Sequence, residues 1–197
     1  MRFAIVIVLC VIVLLGAACD GSERAREEIR RMQQCETHLC LSDMSLLAME
    51  DNEGVVLLSF EKAPMKLVVY VDSALCSSCL IKNMYHWYDV IDKVEARYHG
   101  KMRVIFIFDS SIGQLKRLEF TYRNSAFRYP IFVDTVNVFR KNNPHIPDDN
   151  RFHTFLLDEK GKVVLVGSPL TNVYMRNLFF KEADRHLCLK RLSKDNF

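Results

Sequence analysis

Leu67-Val68-Val69-Tyr70-Val71-Asp72-Ser73-Ala74-Leu75-Cys76-Ser77-Ser78-Cys79 is the stretch that decides the fold. Leu67 to Val71 is continuously apolar and rich in Val, the pattern of a strand buried on both faces of a sheet. It runs into a C-x-x-C. Beyond that, Leu80, Met84, Trp87 (or Tyr88), Ile91, Val94 and Tyr98 recur at three- and four-residue spacing, which predicts a helix with one apolar face. Gly100 ends it as a helix C-cap glycine would.

Working outward, Val104 to Phe108 predicts a second buried strand. Ser110 to Arg123 predicts a second helix with Ile112, Leu115, Leu118 and Tyr122 on one face. Pro130 to Val133 reads as a third strand, Val136 to Arg140 as a helical turn, and Asn142 to Asn150 as a loop. Phe155 to Leu157 and Val163 to Val166 are strands joined by Asp158-Glu159-Lys160-Gly161, which is hairpin turn chemistry. Asn172 to Leu187 closes the chain as a helix with Val173, Leu178, Phe179 and Ala183 as inner positions. Upstream, Gly54 reads as a break and Val55 to Phe60 as a strand that opens the domain. Strands and helices alternate, so the class is α/β.

The chain has 197 residues, half of them apolar and 26% charged, which is an ordinary globular balance with room for one domain. Its net charge of +3 comes from basic and acidic residues interleaved along the chain, so no nucleic-acid-binding stripe is present. Phe3 to Ala18 is apolar or small after Met1-Arg2, and as a helix it would span roughly 24 Å. That is short of the ~30 Å hydrocarbon core and fits a signal peptide over residues 1–18. Small residues before Cys19 resemble a bacterial lipobox, although Gly16 stands where the usual Leu would be. Lipidation of Cys19 is the expectation, with plain secretion or an uncleaved anchor as the alternatives. Residues 19–54 are then a lipid-anchored tether and N-terminal segment, polar and charge-rich from Asp20 to Gln34, where the tether becomes a short helix near the body, and residues 55–197 form the domain. Each of these readings places the domain outside the cytoplasm, where disulfides persist.

Two of the seven cysteines, Cys10 and Cys19, are taken by the signal and the lipid. Five remain, so at least one thiol is free or paired to another molecule. A Cys in the first turn of a helix faces unpaired N–H groups and the positive end of the helix dipole. Both favour thiolate, the species that attacks disulfides. Cys76 is therefore the expected exposed attacking thiol. Cys79, one turn on, is the expected more buried resolving thiol, and Ser77 and Ser78 between them set the redox potential. A structural disulfide and half of a zinc site are the alternatives. A zinc site would need a second pair, and Cys35-x4-Cys40 with His38 is the candidate.

These residues resemble the thioredoxin superfamily, in particular its extracytoplasmic, membrane-anchored TlpA/ResA-like branch. The resemblance spans roughly Val55 to Leu187. It rests on Leu67 to Val71 leading into Cys76-Ser77-Ser78-Cys79, and on His153-Thr154-Phe155-Leu156-Leu157-Asp158-Glu159-Lys160-Gly161-Lys162-Val163-Val164. It implies a three-layer fold with a central mixed sheet flanked by helices, and thiol–disulfide oxidoreductase activity without an added cofactor or metal. It also implies protein disulfide or dithiol substrates and a membrane redox partner at the cell envelope, on the periplasmic side. The substrate would lie against Ser77, Ser78, Phe152, His153 and Thr154.

Three departures from the family pattern stand out. His153, or Phe152 in a shifted alignment, holds the family's cis-proline position. A non-proline cis bond costs about 2.5–4 kcal/mol, so this loop is expected to be trans. Tyr70 holds the place of a buried carboxylate six residues before the first Cys, with Asp72 past the strand end. Leu75 replaces a common Trp. His153 is read either as an acid/base group or third metal ligand beside the thiols, or, in the reading adopted, as a loop histidine facing solvent. Cys35 and Cys40 lie about 140° apart on a helix, so they can pair only outside regular helix. Either could instead join Cys188 or a partner's cysteine. A metal-delivery protein and a non-catalytic binding module remain the rival functions.

Overall fold

The computed structural model describes residues 21–48, 53–73 and 77–187. The signal segment, Cys10, Cys19, Leu75, Cys76 and Cys188 lie outside the described residues.

Strand β2 (Met65–Val71) is the centre of the molecule. It runs parallel to β3 (Met102–Asp109), from Met65 opposite Met102 to Val71 opposite Phe108. On its other side it is antiparallel to β5 (Thr154–Leu157), from Lys66 opposite Leu157 to Val69 opposite Thr154. Strand β4 (Ile131–Asp134) adds parallel to β3, and β6 (Val163–Val166) pairs antiparallel with β5. A short strand, β1 (Ser45–Leu47), pairs antiparallel with β4 and completes the order β1-β4-β3-β2-β5-β6. Two layers of helices cover this mixed sheet.

The two-faced burial explains the unbroken apolar runs. Leu67, Val69 and Val71 of β2, with Val104, Phe106 and Phe108 of β3, face one core. Against them pack α3 (Ser77–Asn83), α4 (Tyr88–Tyr98), α5 (Ile112–Arg123) and α7 (Val173–His186), through Ile81, Val90, Val94, Leu118, Tyr122, Phe179 and Ala183. Val68 and Tyr70, with Ile105 and Ile107, face the second core. There they meet Met32 of α1 (residues 21–34), Phe60 of α2 (Glu53–Lys62) and Phe139 of α6 (Val138–Asn142). Each such side chain contributes about 1.5–3 kcal/mol by leaving water. Strand β2, the crossover α3–α4 to parallel β3, the antiparallel β5–β6 hairpin and the closing α7 make a three-layer α/β sandwich of thioredoxin-like topology. The unit α5–β4 and the strand β1 extend its β3 edge.

Several expectations are corrected. The predicted strand Val55–Phe60 is part of α2. Val-Val-Leu-Leu satisfies either period, but Val56, Leu57 and Phe60 turn inward at helical spacing while Val55 is 70% exposed. Gly54, read as a break, lies inside the same helix. The short helix expected at the end of the tether extends over residues 21–34 as α1, and its Ala25, Ile29 and Met32 pack on the second core. The single helix expected after Cys79 divides into α3, a 3-10 turn at Met84–Trp87, and α4. Asn83 Nδ2 donates to the Cys79 carbonyl (3.2 Å) at the end of α3. His99 (φ 48°) and Gly100 (φ 82°) terminate α4 in the left-handed region. Ile112 and Val173, expected inside, are about seven-tenths exposed. Each is the first residue of its helix and projects past the packed turns. Among the described residues no helix is long and apolar enough to cross a membrane.

Candidate functional site at the C-terminal end of the central strand

The parallel strands β2, β3 and β4 end on one side of the sheet, and α3 starts there. Its first turn presents unpaired N–H groups beside the end of β2. Cys79 lies in this turn and is disulfide-bonded. Ser77 and Ser78 open the helix. Cys79 is exposed, contrary to the expectation of a more buried thiol. The inner stripe of this segment is Ile81 and Met84. Cys79 precedes Ile81 by two residues, roughly 200° around the helix, and so faces out.

The segment Phe152–Thr154 runs beside the same strand end. Tyr70 N–H donates to the His153 carbonyl (2.8 Å), and Thr154, half-buried, opens β5 opposite Val69. All peptide bonds among the described residues are trans. Phe152 is buried in the second core, with the Arg151 guanidinium 5.7 Å from its ring centre. The solvent-facing reading of His153 is overturned, since the residue is 2% exposed. The adjoining 3-10 turn Asn150–Phe152 folds it inward against the edge of the Tyr70 ring (centroids 5.0 Å). His153 Nε2 contacts the Pro147 carbonyl at 2.8 Å. A carbonyl only accepts, so Nε2 carries the hydrogen and Nδ1 is a bare acceptor. Nδ1 is buried without a hydrogen-bond partner among the described residues. Burial, the largest influence, lowers the imidazole pKa and keeps it neutral at pH 7.

The sequence reading missed Asp109. It ends β3 next to the end of β2, accepts a hydrogen bond from Tyr70 Oη (3.3 Å), and is hydrogen-bonded to Ser73. Ser73 stands three residues before Cys76. Burial raises the Asp109 pKa, and the carboxylates of Asp134 and Asp72 push it the same way. The Tyr70 phenol is raised too, by burial first and then by Asp109, so it stays protonated. Asp134, fully buried opposite Asp109, accepts from the N–H groups of Val136, Val138 and Phe139 (3.3, 3.0 and 2.8 Å). The signal for Asp109 was an acid closing the apolar run Val104 to Phe108 on a strand parallel to β2.

Cys35 and Cys40 are free thiols. Asn142 Nδ2 donates to Cys40 Sγ at 3.2 Å. Among the described residues no three His, Cys, Asp or Glu side chains gather as a metal site, so the Cys35/His38/Cys40 candidate does not assemble there.

No protein-family model and no curated protein matches the sequence. Solved structures similar to it include an uncharacterized thioredoxin-like protein from Porphyromonas gingivalis (12% identity, 67% of this chain and 82% of that one, TM-score 0.44). Another is the exposed lipoprotein thioredoxin of Streptococcus pneumoniae (15%, 64% and 89%, TM-score 0.41). A conserved protein of unknown function from Bacteroides fragilis is a third (14%, 62% and 84%, TM-score 0.41). The thioredoxin-like assignment of the fold rests on the strand order and strand directions given above.

Proposed function

We propose that this chain is an extracytoplasmic thiol–disulfide oxidoreductase of the TlpA/ResA-like branch, held at the membrane by lipid on Cys19. The observation that carries the reading is a disulfide-bonded Cys79 in the first turn of the helix that follows the central strand. In the reduced pair, the Cys76 thiolate attacks one sulfur of a protein disulfide. A mixed disulfide forms and one substrate thiolate leaves. Cys79 then attacks Cys76 Sγ, the second substrate thiol leaves, and the pair is left oxidised after a two-electron transfer. The resolving role given to Cys79 rests on its place one turn behind Cys76, not on burial. Asp109 holds or takes the proton that Cys79 gives up, since its raised pKa brings a carboxylate closer to the thiol range. Ser77, Ser78 and Phe152 to Thr154 flank the bound substrate, with the backbone beside β5 as the contact. The cycle uses no added cofactor, and a membrane redox partner restores the pair.

Titration of the full chain in detergent against glutathione, with the Cys76/Cys79 pair followed by peptide mapping, tests this. A reversible two-electron couple with one depressed thiol pKa is expected, and its potential gives the direction of electron flow. Cys76→Ser should abolish turnover. A pair that resists strong reductant, or thiols of ordinary pKa, would turn the assignment to a non-catalytic binding module.

A further inference from the structure

Residues 35–41 leave α1 and cross the end of the sheet remote from α3. Thr37 N–H donates to the Gly161 carbonyl (2.8 Å) and Glu36 bridges Lys162, so the segment is laid against the β5–β6 turn. Side chains of the loop after α6 hold its other side. The Asn143 amide is fully buried and clasps His38 twice: His38 N–H donates to Oδ1 (2.7 Å), and Nδ2 donates to the His38 carbonyl (2.9 Å). Thr37 Oγ1 meets His145 Nε2 at 3.2 Å in a buried contact. Asn142 adds the bond to Cys40 Sγ. The segment forms one wall of a cavity of about 440 Å³, whose opposite wall includes Glu61, Lys66 and Asp158.

We propose that residues 36–41 are an acid-released strap: protonation of His145 undocks them from the 142–146 loop and opens the cavity behind them. The ring is 9% exposed, and the charged or titratable groups acting on it are Arg31 of α1 and His38 of the strap itself. Both disfavour a second positive charge, with the Arg31 effect partly offset by its ion pair to Glu28 (2.6 Å). Burial, the largest influence, lowers the His145 pKa below its ordinary 6.5 in the same direction. The docked form therefore binds the proton more weakly than the released form. Docking is at full strength above pH 6.5 and weakens as pH falls from there to the docked pKa. With one proton involved, the docking constant falls by no more than about tenfold per pH unit. This inference concerns the end of the sheet opposite the cysteine pair and does not depend on the proposed redox activity.

Amide hydrogen exchange of Thr37 and His38 in the full chain, in detergent micelles, reads the strap directly. Rates at about pH 7.5 and about pH 5.5 are corrected for the intrinsic pH dependence of exchange. Protection should drop several-fold on acidification, within that ceiling of about tenfold per unit. His145→Gln keeps an amide that can meet Thr37 Oγ1 but cannot titrate, and its protection should not change with pH. Arg31→Gln removes one repelling charge and should shrink the acid-induced loss. Wild-type protection that is unchanged by acid would overturn the proposal. So would an equal loss in His145→Gln. If His145→Gln docks poorly at neutral pH, Arg31→Gln decides: an acid loss as large as in the wild type overturns the strap.

Discussion

Phe106 is the place to test whether the core built around the central strands is as tight as the geometry requires. It is fully buried in the middle of β3. Its ring meets Trp87 edge-to-face at 5.3 Å, Phe127 at 5.5 Å and Tyr129 at 6.0 Å. Phe106→Ala removes the ring from the centre of three aromatic contacts, and the sheet cannot collapse to fill the space. The cost should be about 3–5 kcal/mol, a large fraction of a typical total stability of about 5–15 kcal/mol. With a urea m-value of about 2 kcal/mol/M, the midpoint should fall by about 1.5–2.5 M. Trp87 is the sole tryptophan and touches the mutated ring, so its fluorescence follows the transition. Phe106→Leu retains most of the volume and should lose distinctly less. A loss under about 1 kcal/mol at unchanged m would refute the packing argument.

Three further outcomes follow from particular contacts. Asp109 has a raised pKa, so the folded state holds its proton more tightly than the unfolded chain. Stability is then lost as pH rises from about 4 through the folded pKa; the ceiling is about 1.4 kcal/mol for each pH unit separating the two pKa values, reduced by solvent screening because the carboxylate is only half-buried. Asp109→Asn should raise Tm at pH 7, leave it unchanged near pH 3, and slow thiol–disulfide exchange; equal Tm values at pH 7 would argue against a desolvated carboxylate. Gly161 has φ of +73° and an added Cβ would sit 2.7 Å from the Thr37 carbonyl oxygen. Gly161→Ala should therefore cost at least about 1–2 kcal/mol, a Tm drop of several degrees, with extra exchange at Thr37; an unchanged Tm would mean the turn tolerates the clash. Cys19→Ser should release the protein from membranes in a fractionation, and retention of the variant would refute the lipid anchor.

The central sheet was legible because β2 and β3 are buried on both faces, which leaves an unbroken apolar run in the sequence. The hairpin was legible because Asp158 to Gly161 is chemistry that little else demands: the Asp158 carboxylate accepts from Lys160 and Lys162 N–H (both 2.9 Å), and Gly161 takes the positive φ. The misreadings fall where sequence pattern is weakest. Val55 to Phe60 fits both periods, and only packing against the second core selects the helix. In α1, three inward residues, one of them alanine, are enough to dock a helix whose composition reads as solvated. Exposure of Cys79 and burial of His153 depend on how short segments turn, on the phase of one two-turn helix and on a three-residue 3-10 turn. Neither leaves a periodic trace in the sequence.

Tyr70 makes sense only across strands. A carboxylate six residues before the first Cys would lie on β2, where this chain has a tyrosine whose phenol burial keeps protonated. A phenol of that kind donates a hydrogen bond but cannot accept a proton near neutral pH. Parallel pairing sets Val71 opposite Phe108, so the next residue of β3, Asp109, arrives at the same end of the sheet. There it receives the Tyr70 hydroxyl and carries a raised pKa of its own. The acid at this end of the sheet thus stands on β3 and not on β2, and the tyrosine hydroxyl is hydrogen-bonded to it. Under the proposed chemistry the two residues act as one unit. The hydrogen bond from Tyr70 favours the ionised carboxylate and so holds the Asp109 pKa down against burial. Tyr70→Phe removes it. The variant should therefore shift the pH profile of exchange to higher pH; an unmoved profile would separate the two residues. The reverse placement, Tyr70→Asp with Asp109→Asn, asks whether position or strand matters. Two facing acids, as in Tyr70→Asp alone, should repel and lose more stability as pH rises than the double variant, which lacks the Asp109 carboxylate.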